Sequence, residues 1–194
     1  MKVNFKMKQN TKKNILAIIG SASTNSANLK LVKHIGHLTE HEFNLTIYDE
    51  LKLLPHFDPE QSIHNPPSSI IQIRRLIDQS DGILICTPEY VFSIPSGLKN
   101  LIEWCISTTV FSGKPIGLIT ASAHGQKGHD ELQLIMKTAM ANFTEETTLL
   151  IQGVKGKFDG NDHLIDAETI TKLNDFIDAF KKLLPNNKSG MPIS

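Results

Sequence analysis

Short apolar runs alternate along the chain with longer stretches in which apolar residues recur every three or four positions. The runs 15–19, 43–48, 82–86, 115–121 and 147–151 have strand length, and several are bounded by Gly, Pro, Asp or Ser. The first, third and fourth are almost continuously apolar, the pattern of strands covered on both faces. Phe43, Leu45 and Ile47 alternate with polar residues, which predicts a strand nearer an edge. Between the runs, Leu98, Leu101, Ile102 and Cys105 fall on one helical face, as do Leu132, Ile135, Met136, Ala139 and Phe143. Ile170, Leu173, Ile177, Phe180 and Leu184 form a third such face, behind an N-cap at Asp166. Leu31, Val32, Ile35 and Leu38 mark a helix after Ser26, and Ile70, Ile73 and Ile77 mark one after Pro66-Pro67.

Strand–helix alternation of this kind predicts an α/β domain with a parallel sheet and right-handed crossovers. Five strands fit a doubly wound sheet of order 2-1-3-4-5 with helices on both faces. At 194 residues one domain is expected, spanning 13–184. Residues 1–12, with Lys2, Lys6, Lys8 and Lys12, read as a flexible solvated extension. The run 15–19 is too short for the apolar region of a signal peptide. Residues 185–194 read as a flexible tail. The segment 49–67, rich in Pro and His, exceeds an ordinary connection and is expected to be a functional or subunit-contacting loop.

Charge narrows the choice of partners. Lys+Arg and Asp+Glu are equal at 20 each, which argues against a nucleic-acid binder but leaves room for a local anion site. Cys86 and Cys105 stand in apolar stretches and lack metal-site spacing, so buried free thiols in a reducing cytoplasm are expected. No apolar run reaches the ~18 residues of a membrane span.

In a doubly wound sheet, ligands bind at the carboxyl ends of the strands where the strand order reverses. The loops after strands 1, 3 and 4 converge there. The first, Gly20-Ser21-Ala22-Ser23-Thr24-Asn25-Ser26-Ala27-Asn28, offers hydroxyls, amides and N–H groups at a helix N-terminus. That composition suits an anion, and equally a helix cap. It has neither Gly-x-Gly-x-x-Gly nor a Gly-Lys-Ser/Thr P-loop. The second, Thr87-Pro88-Glu89-Tyr90-Val91-Phe92-Ser93-Ile94-Pro95-Ser96-Gly97, pairs stiffening prolines with aromatic surface for a planar ligand. The third, Thr120-Ala121-Ser122-Ala123-His124-Gly125-Gln126-Lys127-Gly128, has glycines that permit close backbone approach. His124 could donate a proton, but a lone loop histidine is more often an exposed polar residue.

Together these loops resemble the NAD(P)H-dependent FMN reductase family of flavodoxin-like proteins, relatives of quinone, azo and chromate reductases. The family's G-S-x-R-x-x-S-x-N loop matches residues 20–28. Its P-E-Y-N-x-S-x-P-G-x-L-K-N motif matches Pro88 through Asn100, followed by Ile102-Glu103-Trp104. The resemblance implies that Ser21, Ser23, Ser26 and Asn28 line the FMN phosphate. It implies that Pro88, Glu89, Tyr90 and Val91 border the isoalloxazine ring, partly through backbone groups, while Ser122 and Gly125 approach the ring's polar edge. NADPH or NADH would stack on the exposed ring face and pass hydride to flavin N5, and electrons would then reach a small acceptor. The flavin carries such chemistry, and no catalytic side chain is needed. The resemblance also implies a homodimer or homotetramer, for which the second loop, Trp104 and the 49–67 segment offer surface.

Two residues depart from the family pattern. Ser23 stands in place of Arg, a loss worth ~10–100-fold in FMN affinity unless hydroxyls and N–H groups hold the phosphate alone. Val91 stands in place of Asn. The competing reading is a flavodoxin-like electron carrier, which the zero net charge disfavours. A phosphoacceptor receiver domain needs acidic residues after strand 1 and an Asp ending strand 3, where this chain has Gly20-Ser21 and Cys86-Thr87.

Overall fold

Each apolar run becomes a strand of one parallel sheet. A computed structural model describes residues 12–185, so the expectations for 1–11 and 186–194 lie outside the described residues. The strands are β1 (Lys13–Ile19), β2 (Phe43–Tyr48), β3 (Gly82–Thr87), β4 (Ile116–Ser122) and β5 (Thr148–Gln152). They pair in the order β2-β1-β3-β4-β5, all parallel, with Ile18 opposite Ile85 and Ile85 opposite Leu118. The doubly wound order is as expected. All six residues of β3 are buried, whereas β2 at the edge keeps most of its residues partly or fully exposed.

The helices are α1 (Ala27–Leu38), α2 (Pro59–His64), α3 (Ser68–Gln79), α4 (Ser96–Ile106), α5 (Gln126–Thr138) and α6 (Ala167–Leu183). Alternate strand residues point to opposite faces, so the sheet divides the core in two. Ile15, Ala17, Ile19, Leu84 and Cys86 pack with Leu31 and Ile35 of α1 and with Leu173, Phe176 and Phe180 of α6. Leu16, Ile18, Ile83 and Ile85 pack on the other face with Ile70 and Ile77 of α3, Leu98 and Trp104 of α4, and Leu132 of α5. Ser26 and Asp166 cap their helices as the sequence predicts, accepting from the N–H groups of Leu29 and Thr169.

Three local expectations change. α5 stops at Thr138, because the chain turns through Met140 with φ of 58°. Phe143 therefore lies beyond the helix, although it still packs on the core. The 49–67 segment is not an irregular loop: it holds a 3₁₀ turn (Leu51–Leu53) and α2, which is capped by Asp58 with Pro59 in its first turn. It is also fastened to α4. Asn100 Nδ2 and Trp104 Nε1 both donate to the Pro55 carbonyl, at 2.9 and 2.8 Å, and Phe57 packs edge-on against Trp104. Trp104 is fully buried inside its own chain and offers nothing to a subunit interface. Among the described residues no helix is long and apolar enough to cross a membrane.

Candidate functional site

The site starts at Gly20. A Cβ here would lie 2.1 Å from Thr87 Oγ1, so only glycine lets the end of β1 pass the end of β3 this closely. Its N–H donates to the Cys86 carbonyl at 2.8 Å. The hydroxyl-rich loop then turns over the sheet. Ser21 Oγ accepts from the Ser23 N–H at 3.2 Å and pairs with the Tyr90 hydroxyl at 3.3 Å.

Asn28 is buried and committed to the protein on both sides. Its Nδ2 donates to the Ala121 carbonyl at 3.2 Å, and its Oδ1 accepts from the Cys86 thiol at 3.3 Å. It bolts α1 to β3 and β4, and it also lines the larger cleft described below, with one Nδ2 hydrogen beyond the Ala121 bond. Burial without a cation pushes the Cys86 thiol far up. Cys105, buried on the other face of the sheet, is pushed up to about 12 by burial. Both thiols are free and buried, as expected.

After β3 the chain makes a tight two-residue turn. Tyr90 and Ser93 exchange backbone hydrogen bonds at 2.9 and 3.1 Å. Val91 and Phe92 sit between them with φ of 53° and 61°. Both central φ angles are positive, as in a type I′ turn, which favours Asn-Gly. A branched and an aromatic residue held there cost about 1–3 kcal/mol each. Two carboxylates brace the turn. Glu131 of α5 accepts from the Ser93 hydroxyl at 2.6 Å and the Ile94 N–H at 3.0 Å, and Glu89 accepts from the Gly128 N–H at 2.8 Å. A Cβ on Gly128 would stand 3.2 Å from Glu89 Cβ, so the α5 start and this loop interlock. Gly125, with φ of 89°, makes the left-handed turn into α5.

Two adjoining clefts open between these loops. The larger, of about 640 Å³, is lined by Ser21, Ser23, Ser26, Asn28, Pro88, Tyr90 and Ser122 among others. The smaller, of about 390 Å³, shares Ser21, Ser23 and Tyr90 and extends to residues 49–53 and 95–97. The Ser21–Tyr90 pair stands on the wall between them. Glu89, Val91 and Gly125 line neither cleft: Glu89 and Gly125 shape the loops, and Val91 points into solvent. His124 is exposed and also lines neither.

The larger cleft holds two cations that sequence reasoning missed. Lys30 Nζ pairs with Asp162 at 2.5 Å, and Lys155, which follows β5, lines the same cleft. Lys30 lies four residues after Ser26, hence on the same helical face, and that spacing could have flagged it. Lys155 carries no such signal, since only the fold brings it to the loop. His129 was missed as well. It is buried, its Nδ1 meets Thr120 Oγ1 at 3.0 Å, and burial holds its imidazole below the ordinary value.

Hydroxyls, a helix N-terminus and the side chains of Lys30 and Lys155 line a cleft of ligand-binding size together with Pro88 and Tyr90. This donor set fits a phosphate joined to a planar ring. Known proteins resemble the chain over most of its length. A Vibrio ruber protein named NADH:(hydroxy)cinnamate reductase subunit CrdA is 28% identical over 174 residues, covering 86% of this chain and 85% of that one. A Lactobacillus johnsonii NADH-dependent flavin reductase subunit 2 is 29% identical over 182 residues, covering 88% and 96%. The solved structure of FerB, a flavoenzyme NAD(P)H:(acceptor) oxidoreductase from Paracoccus denitrificans, matches in fold. Its TM-score is 0.73 at 23% identity, over 89% of this chain and 100% of that one. The family model for NADPH-dependent FMN reductase matches residues 13–153, which takes in all five strands and the three loops, and the chain belongs to that family.

Proposed function

We propose that the protein is an FMN-dependent NAD(P)H oxidoreductase in which the larger cleft holds the cofactor and one open face serves both substrates. The observation that carries this reading is the cleft itself, lined by serine hydroxyls, two lysines, Pro88, Tyr90 and Ser122. Ser21, Ser23 and Ser26 present hydroxyls to the phosphate. Lys155, together with Lys30 once it leaves Asp162, supplies the positive charge that Ser23, standing in place of the family's Arg, does not. Pro88 and Tyr90 flank the ring, and Ser122 faces its polar edge. Glu89, Glu131 and Gly125 act through the loops they hold. Bound FMN supplies hydride acceptance from the nicotinamide and electron release to the acceptor.

The described residues form a single sheet, and the two adjoining clefts lie at its carboxyl ends. On this reading NAD(P)H and acceptor share the crevice, and oxidised nicotinamide leaves before the acceptor enters. Double-reciprocal plots at several acceptor concentrations should be parallel. The acceptor class is a small conjugated molecule, in keeping with relatives named for quinone, flavin and cinnamate reduction. A cytoplasmic location fits the two free thiols. A homodimer or a tetramer built from dimers is also proposed. Leu53, Ile63 and Ile106 are exposed on the 3₁₀ turn, α2 and the end of α4, and α4 packs against the other two elements. Light scattering tests the oligomer.

The direct experiment is the visible spectrum of the purified protein, followed by anaerobic bleaching with NADH or NADPH. A flavin spectrum that bleaches supports the reading. Titration with FMN and riboflavin then tests the phosphate end, and equal affinities would remove it. The carrier alternative predicts bleaching without steady NAD(P)H oxidation when a quinone is added.

A further inference from the structure

The connection from β5 to α6 runs over residues 153–166, well beyond the roughly 2–6 residues usual between a strand and its helix. The family match ends at residue 153, so the family pattern says nothing of it. It is nonetheless firmly built. The Gly153 N–H donates to the Ala123 carbonyl at 3.1 Å, Phe158 bridges back to Leu164, and Lys157 pairs at 2.9 Å with Asp166, the cap of α6. Val154 and Leu164 are buried, while Lys155 and Phe158 line the larger cleft. At the tip, Asp159 accepts from the Asn161 and His163 N–H groups at 2.9 and 2.8 Å, and Asp162 between them has a left-handed backbone with φ of 66°. The carboxylate presented there meets Lys30 Nζ at 2.5 Å. The partners are not equally fixed. The lysine side chain is 22% exposed and lines the cleft, whereas the aspartate is 55% exposed and does not.

We propose that Asp162 is a positioning residue for the larger cleft, an internal anion that competes with a ligand phosphate for Lys30 and so sets how much tighter FMN binds than riboflavin. This rests on the oxidoreductase reading above. A phosphate monoester carries close to two negative charges and three acceptor oxygens, so it outcompetes a single carboxylate for the ammonium group. Displacement asks little of the fold, because the exposed carboxylate turns to water while the segment that carries it stays in place. What is lost is one partly exposed ion pair, worth up to a factor of about five in binding. Riboflavin has no phosphate and leaves the pair intact, so the loss falls on FMN alone.

The test is Asp162→Asn, which keeps the shape of the side chain, suits the left-handed backbone and removes the charge. Fluorescence titrations compare FMN and riboflavin binding to the full-length protein stripped of flavin. The expected result is an FMN Kd lowered about fivefold and a riboflavin Kd within about twofold of wild type. In the Lys30→Met background the same substitution should change the FMN Kd by less than about twofold, because the contested cation is gone. An unchanged FMN Kd, equal gains for both flavins, or an undiminished gain in the Lys30→Met background would each overturn the proposal. If the wild type binds neither flavin, the oxidoreductase reading fails. Calorimetric titration with inorganic phosphate still decides the contest for Lys30: a higher phosphate affinity in Asp162→Asn supports it, and an unchanged one overturns it.

Discussion

Replacing Asn28 with Leu keeps the branched shape and the number of side-chain heavy atoms and removes both of its hydrogen bonds. The Nδ2 donation to the Ala121 carbonyl is a neutral hydrogen bond of 3.2 Å, worth about 0.5–1.5 kcal/mol net. The thiol contact from Cys86 at 3.3 Å is weaker, since a thiol is a poor donor. Losing the donor also leaves a buried carbonyl short of a partner, at about 1–3 kcal/mol. The expected destabilisation is therefore about 2–3 kcal/mol, or roughly 4–12 °C in Tm for a domain of this size. Urea unfolding followed by far-UV circular dichroism measures it, with an unchanged m-value as the check on two-state behaviour. The FMN-to-riboflavin affinity ratio should stay constant on the reading that Asn28 acts as a tie between α1 and the sheet. Asn28→Asp sharpens the test through its pH dependence. An ionised carboxylate would face the Ala121 carbonyl, so burial raises its pKa and the folded state favours the protonated form. That variant should regain stability as the pH falls through this raised value. Leu at position 28 within about 0.5 kcal/mol of wild type, or an altered affinity ratio, would refute the bolt.

Three further outcomes are expected. Lys30→Met should weaken FMN roughly 10–100-fold while leaving riboflavin binding unchanged, by fluorescence titration, because a charged hydrogen bond to the phosphate is lost. Ser23→Arg should hold or tighten FMN in the same assay, since it adds a cation beside Lys30. His129 is buried with its pKa lowered, so the unfolded chain protonates first as the pH falls. Its contribution is present above about pH 6.5 and is lost below that value, and His129→Asn should flatten the fall in Tm between about pH 6.5 and 5.

The sheet was legible because a strand covered on both faces must be apolar throughout, and 15–19, 82–86 and 115–121 are. The three loops were legible because a reversal of strand order tells where the carboxyl ends converge. What pattern could not supply was the use of each polar atom. Asn28 looks like a ligand donor in the loop and is also a tie, because Cys86 and Ala121 reach it from 58 and 93 residues away. Glu89 lies inside the most specific motif and spends its carboxylate on Gly128. Glu131 was invisible for the same reason, since its partners Ser93 and Ile94 belong to another element. Trp104 stood among loop residues that suggest a surface, and only the folding back of residues 55–57 over α4 buries it. The helix α2 was masked by a Pro- and His-rich composition, although Asp58-Pro59 is a sound helix start.

The two thiols lie on opposite faces of the sheet, Cys86 under α1 and Cys105 on α4. An alkylating reagent cannot reach either sulfur while the layers stay closed. Each capture rate thus becomes a clock for one side of the molecule. A cofactor bound to the folded state slows both clocks through global unfolding, and any excess slowing at Cys86 reports opening of the α1 side alone. The chain thereby carries a built-in differential probe, in which one unlabelled cysteine serves as the timekeeper for the other.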